Sequence, residues 1–150
     1  MIKILGCILI LSASICACIF YERAEKTKLC ALKELCDFIK HIRSQIEYFS
    51  APLDKIYASY EKRGEIISLL VSDGVDSMRE LLCKADFEIT YSFFGSLGKG
   101  VKSEQIALCS YTIGELDSSY EEKKAELPNK IKVFRAMALF CGFCAVILLI

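Results

Sequence analysis

The sequence predicts an all-α protein: a helical bundle with two long helices, flanked by N- and C-terminal membrane segments, with short helices between them. Three observations carry this. Apolar residues recur at steps of three and four through the middle of the chain, the spacing of one helical face. Only two prolines occur in 150 residues, so little interrupts those runs. Both ends are apolar, and mean hydropathy is +0.40, high for a chain that meets only water. All 19 acids and 18 of the 19 bases lie between Tyr21 and Arg135. The expected boundaries are residues 1–21 for the first membrane helix, 22–132 for a cytoplasmic bundle and 133–150 for the second membrane segment. A near-neutral middle offers no basic field for nucleic acid.

Residues 4–20 carry no charge. At about 1.5 Å per residue they cover about 25 Å, slightly short of a bilayer core. Lys3, Glu22 and Arg23 can snorkel to close that gap. Residues 136–150 are also uncharged and cover about 22 Å, so spanning there needs thinning, snorkelling or a packing partner. Three readings compete for the amino end. A cleaved signal peptide lacks a clean small-x-small site, and its apolar run would be unusually long. Ile15-Cys16-Ala17-Cys18 resembles a lipobox ending at Cys18. An uncleaved membrane helix fits best. Arg23, Lys26, Lys28, Lys130, Lys132 and Arg135 lie on the middle side of the two runs, against Lys3 on the other. The positive-inside rule then places the middle in the cytoplasm.

The middle reads as follows. Leu29, Leu32, Leu35, Cys36, Ile39, Ile42, Ile46 and Phe49 form one stripe, so a helix is expected from the membrane to about Phe49. Pro52 ends it through the restriction on the residue before it and opens a short helix over Leu53, Ile56, Tyr57 and Tyr60. A third apolar piece covers Ile66 to Val71. A fourth helix is expected at Val75, Met78, Leu81 and Leu82, after the turn signal Ser72-Asp73-Gly74. Phe87, Tyr91, Phe93 and Phe94 lie in a segment whose β-branched content would allow a strand, but their i, i+3 and i, i+4 steps and the helices around it favour a fifth helix. Gly95, Gly98 and Gly100 mark a connector in which Gly98 takes φ > 0. A last long helix starts near Val101 to Ser103, with Ile106, Cys109, Ile113, Leu116 and Tyr120 on one face. Pro128 is expected to bend or break it.

No catalytic set emerges. His41 is the single histidine, between Ile39 and Ile42, with no partner in the pattern. The nine cysteines are irregularly spaced. The only C-x-x-C, Cys141 to Cys144, sits in an apolar run without polar support for a metal. Cysteine reads as small apolar filler, in a reducing compartment. Gly95 to Gly100 faintly suggests a phosphate loop but lacks the spacing and the preceding strand. Neither cofactor nor metal nor small-molecule substrate is implied.

The chain resembles the stage III sporulation protein AB family. The amino end, MIKILGCILILSAS, is similar to the family's membrane anchor. Glu47 and Tyr48, followed by Pro52 and Leu53, resemble its E-I-x-Y-x-x-x-P-L segment. Leu97 and Gly98, with Gln105 seven residues on, resemble its L-G-x-S-D-x-x-x-Q segment. The apolar ending resembles the family's. Gly100 and Val101 stand where the family has Ser and Asp, so Gly100 or Ser103 is expected to cap the last helix. The resemblance implies a domain like that of the type II secretion and type IV pilus inner-membrane platform protein. It implies a role in the channel linking mother cell and forespore, in the mother-cell membrane, beside other stage III sporulation proteins. The AA protein, which resembles a secretion ATPase, is the implied cytoplasmic partner. Phe94, Lys99 and Lys102 are the candidate interface residues. An unrelated helical membrane adaptor or an outward-facing lipoprotein is the alternative.

Overall fold

A computed structural model of the chain describes residues 2–49, 68, 70 and 74–149, of which 2–5, 7, 8, 11, 49, 148 and 149 are described as backbone only. The described residues are helical, without strands: α1 (Ile2–Ser44), α2 (Lys84–Ser96) and α3 (Lys102–Leu149). A π-helical turn, Gln45–Phe49, follows α1, and a 3-10 turn, Val75–Arg79, precedes α2. The chain divides into two compact units, one of Met1–Thr27 with Lys123–Ile150, the other of Lys28–Glu122.

The Lys28–Glu122 unit holds the core. Ala31, Leu32, Leu35, Cys36, Phe38, Ile39 and Ile42 of α1 are all buried. Ala31 and Phe38, outside the predicted stripe, widen it into a broad arc because that arc serves more than one neighbour. Phe38 meets Phe94 of α2, with ring centroids 6.4 Å apart. Lys40 of α1 pairs with Asp117 of α3 at 3.0 Å. The Lys102 ammonium donates to the Glu47 carbonyl oxygen at 2.8 Å. Rising numbers on the α1 side meet falling numbers on α3, so the two run antiparallel in this unit.

The α2 face differs from the aromatic pattern. Asp86, Thr90, Phe93 and Leu97 are the buried positions, while Tyr91 is exposed and Phe87 and Phe94 flank the core. The face is centred on a polar pair that apolar counting passes over. Thr90 Oγ1 donates to the Asp86 carbonyl at 2.7 Å, and Ser119 Oγ of α3 donates to Asp86 Oδ1 at 2.7 Å. Asp86 also lies in the first turn of α2, where the helix dipole favours a negative charge. On α3 the buried set is Gln105, Cys109, Thr112 and Leu116, again with polar members at helical spacing.

Two expectations are corrected. The helix expected over Val75 to Leu82 is a five-residue 3-10 turn. Gly74 adopts φ 80°, and the Ser77 amide and hydroxyl both donate to its carbonyl, at 3.3 and 2.7 Å. Those short-range bonds tighten the backbone over Val75–Arg79, and the i→i−4 bond from the Leu82 amide to the Met78 carbonyl, 2.9 Å, comes only at its end. Pro128 lies inside α3 and does not break it. It removes one rung, the donor to the Lys124 carbonyl, while Lys130 and Glu126 pair across it at 2.7 Å. The short helices expected over 52–60 and 66–71 lie outside the described residues, apart from Ser68 and Leu70. Both are helical, and Leu70 joins the core.

In the other unit, Tyr21 and Phe134 stack with centroids 4.0 Å apart. Glu22 pairs with Arg135 and with Lys26. The hydrogen bond from Lys26, and after it that from Arg135, holds the Glu22 carboxyl below its ordinary value. Among the described residues no helix is long and apolar enough to cross a membrane. Several positions of both apolar runs (4, 5, 7, 8 and 11; 148 to 150) fall outside the residues whose side chains are described.

Burial pushes the Cys36 thiol up to about 12 and that of Cys109 up to about 11. Cys30 and Cys83 are exposed. Peptide-resolved alkylation of the purified chain should modify Cys30 and Cys83 quickly, and Cys36 and Cys109 only as the protein unfolds. The buried thiols hold their protons in the folded state. Their contribution is therefore complete below about pH 9, the unfolded value, and is lost as pH rises from there toward 11 to 12. Chemical denaturation midpoints should fall over that window. Ser119→Ala removes a donor from a buried carboxylate and should cost about 1–3 kcal/mol in the same measurement.

Candidate functional site: the α2–α3 turn and its junction with α1

The most built-up local structure outside the core is the turn from α2 to α3. Leu97 closes α2 with φ −63° and ψ 130°, and its amide donates to the Phe93 carbonyl at 2.9 Å. Gly98 follows at φ 84°, as expected. The Lys99 amide donates to the Ser96 carbonyl at 3.3 Å. Ser96 to Lys99 is thus a turn of type II, whose third position demands glycine. Leu97 is buried and anchors the turn in the core.

Gln105, one turn into α3, holds this geometry. Its Oε1 accepts from the Gly98 amide at 3.0 Å, and its Nε2 donates to the Ser96 carbonyl at 3.4 Å. One buried carboxamide therefore serves a backbone donor and a backbone acceptor of the turn at once. Leu, Gly and Gln at this spacing form a single mechanical unit. Apolar periodicity gives no hint of Gln105; the family motif does.

The start of α3 departs from the expected cap. Neither Gly100 nor Ser103 supplies it; Glu104 Oε2 accepts from the Val101 amide at 3.3 Å. This is the return half of a capping box, with the carboxylate also placed to favour the helix dipole. Gly100 leaves space for it: a Cβ there would lie 2.6 Å from Glu104 Oε2 and 3.2 Å from Gln105 Nε2.

Lys102 extends the site to α1. Its bond to the Glu47 carbonyl caps the C-terminal end of the π turn, where a positive charge is favourable. Glu47 Oε2 also lies 3.9 Å from Arg43 Nε. Two sequence segments 55 residues apart, one with Glu47 and Tyr48 and one with Leu97 and Gly98, meet through this lysine. Tyr48 and Val101 are exposed here, as is Lys99. Phe94 is half-buried, edge-on to Phe93 at 5.1 Å and against Phe38, so it packs on the core. Pro52 and Leu53 lie outside the described residues.

The chemistry of the turn is mechanical. The amides of Gly98, Lys99 and Val101 are all consumed within the protein, so a phosphate would have to displace those bonds. Gly95 lies inside α2, not in a loop. His41 is half-buried on α1. Among the described residues no group of three or more His, Cys, Asp or Glu is arranged to hold a metal ion.

The family model for stage III sporulation protein AB matches residues 3–79 and 61–150, two overlapping segments that together cover nearly the whole chain. The chain belongs to the stage III sporulation protein AB family. Its role is accordingly in sporulation, among other sporulation proteins. Neither curated proteins nor solved structures return a match. The Leu97–Gly98–Gln105 cluster and the Glu47–Lys102 contact both lie within the Lys28–Glu122 unit.

Gly98→Val should cost about 1–2 kcal/mol, because a branched side chain is strained at positive φ. Gln105→Leu fills similar space but loses the bond to the Gly98 amide, and should cost about 0.5–1.5 kcal/mol. The two act on one turn, so the double variant should lose less than the sum. Thermal or urea unfolding of the full chain measures all three, and strict additivity would show that the turn is not a unit.

Proposed function

We propose that this protein is a non-enzymatic, membrane-anchored platform subunit of the channel between mother cell and forespore, docking a secretion-ATPase-like partner on its cytoplasmic side. The observation that carries the anchoring is the opposite treatment of apolar side chains in the two units. Most of the described large apolar residues of the Lys28–Glu122 unit lie in or against a core, with Tyr48, Tyr91, Val101 and Tyr111 exposed. The other leaves Leu9, Ile15, Phe20, Phe140, Phe143 and Ile147 exposed, Phe20 and Ile147 each at 72%. Such a display is costly in water and natural against lipid. The hydroxyls within the first run fit the same setting. Ser12 and Ser14 donate back to the carbonyls of Leu9 and Ile10, at 2.9 and 3.1 Å, and need no water.

The platform role rests on family membership and on the absence of any catalytic constellation from the sequence reading. A platform acts by contact. The junction of α1 with the α2–α3 turn is the surface we assign to the partner, because Tyr48, Val101 and Lys99 are exposed on a rigid, cross-braced frame. Lys102 is part of the frame itself, so Lys99 is the better residue to perturb.

Two measurements test this reading. An impermeant thiol reagent added to intact cells should leave Cys30 and Cys83 unlabelled until the membrane is opened; labelling in intact cells would support the outward-facing lipoprotein instead. Lys99→Glu should reduce capture of the ATPase-like partner at least severalfold at matched protein levels, with folding unchanged. Full capture by this variant would move the partner surface to the long helices.

A further inference from the structure

The two units divide the charge of a chain whose net charge is zero. Lys28–Glu122 holds sixteen acids and eleven bases, a surplus of five negative charges. The Met1–Thr27 and Lys123–Ile150 unit holds eight bases and three acids, a surplus of five positive. Seven of those eight bases lie in residues 20–27 and 123–135, directly beside the apolar runs, together with all three acids. This is a basic collar at the edge of an apolar surface.

The collar contains a cleft of about 480 Å³. The stacked rings of Tyr21 and Phe134 form its wall, and Val133 and Met137, 59% and 62% exposed, form an apolar floor. Asn129, Lys130 and the acidic Glu126 complete its lining. Lys130 pairs with Glu126 at 2.7 Å, but an ammonium has three N–H donors and this pair uses one. The Asn129 carboxamide adds another donor group. The cleft thus combines apolar side chains with hydrogen-bonding ones; its own charges, Lys130 and Glu126, balance, and the four surplus positive charges belong to the collar around it.

We propose that this cleft binds an anionic phospholipid, its phosphate at Asn129 and Lys130 and an acyl chain along Val133 and Met137. The inference rests on the membrane reading above. Charge decides the occupant. A second copy docked symmetrically would bring one basic collar against another, which is unfavourable. A zwitterionic lipid leaves the surplus positive charge unanswered. An anionic headgroup neutralises it, with about fivefold enrichment per effective basic residue near the surface.

The chain contains no tryptophan, so Val133→Trp supplies a single reporter at an exposed cleft position. Met137→Trp is the second reporter should the first misfold. The full-length protein is reconstituted in phosphatidylcholine vesicles. These contain equal mole fractions of either brominated phosphatidylglycerol or brominated phosphatidylcholine. Quenching by the anionic lipid should exceed that by the zwitterionic lipid at least twofold. The excess should shrink when Lys130→Gln is combined with the reporter, and should shrink less with Lys132→Gln, which lies outside the cleft lining. Equal quenching by both lipids would overturn the site while leaving membrane anchoring intact. Preference that survives Lys130→Gln, or falls equally with Lys132→Gln, would also overturn it, by assigning the selectivity to the field of the whole unit. Absence of quenching by either lipid would overturn membrane anchoring and the lipid site together, and would leave the face to a protein neighbour.

Discussion

The Lys28–Glu122 unit depends on one constraint: a single arc of α1, from Ala31 to Ile42, is buried by neighbours from two other elements. Phe38 sits at the centre of that arc and touches α2 through Phe94. The arc carries seven buried residues within twelve positions, far wider than a two-helix seam requires. Among the described residues, three polar ties hold α1, α2 and α3 together. The Asp86–Ser119 bond ties α2 to α3 inside the core, and Lys40–Asp117 and Lys102–Glu47 tie α3 to α1 at its surface. The surface ties are exposed and individually weak. Their value lies in register, since each links one place on α1 to one place on α3.

The α2–α3 turn solves a different problem. Two helices that meet in a tight turn leave unpaired carbonyls at one end and unpaired amides at the other. Here Gln105, Glu104 and a glycine at positive φ answer both needs within ten residues. The side chains that could have served an external ligand are spent on the protein's own backbone. That is why the segment, which looks superficially like a phosphate loop, is a rigid corner. Lys99 and Val101 stand exposed on this corner, beside exposed Tyr48 of the π turn.

Charge is distributed on a larger scale. A chain with no net charge folds into units of opposite sign, and the positive one borders the apolar surface. Glu22, shared between Lys26 and Arg135, shows that the collar is internally organised and still short of acids.

The all-α class, the long helices, the glycine at positive φ and the family itself were legible in the sequence by itself. Helical periodicity, scarce proline and an ordered set of short motifs are local properties, and local properties survive without a fold. Tertiary structure decided what those signals leave open. Asp86, Thr90 and Thr112 are buried because α2 and α3 present them to neighbours, and no apolar pattern marks such positions. Val75 to Arg79 tightened into a 3-10 turn because Ser77 competes for the Gly74 carbonyl, a bond visible only once the backbone is placed. Pro128 stayed helical because a helix can lose one rung when its neighbours hold. Lys102 became a brace because Glu47, 55 residues earlier, ends beside it. The opposite charges of the two units emerged only when contacts set the boundary at 27/28 and 122/123. Each of these depends on which distant residues share space, and that is information a linear pattern does not contain.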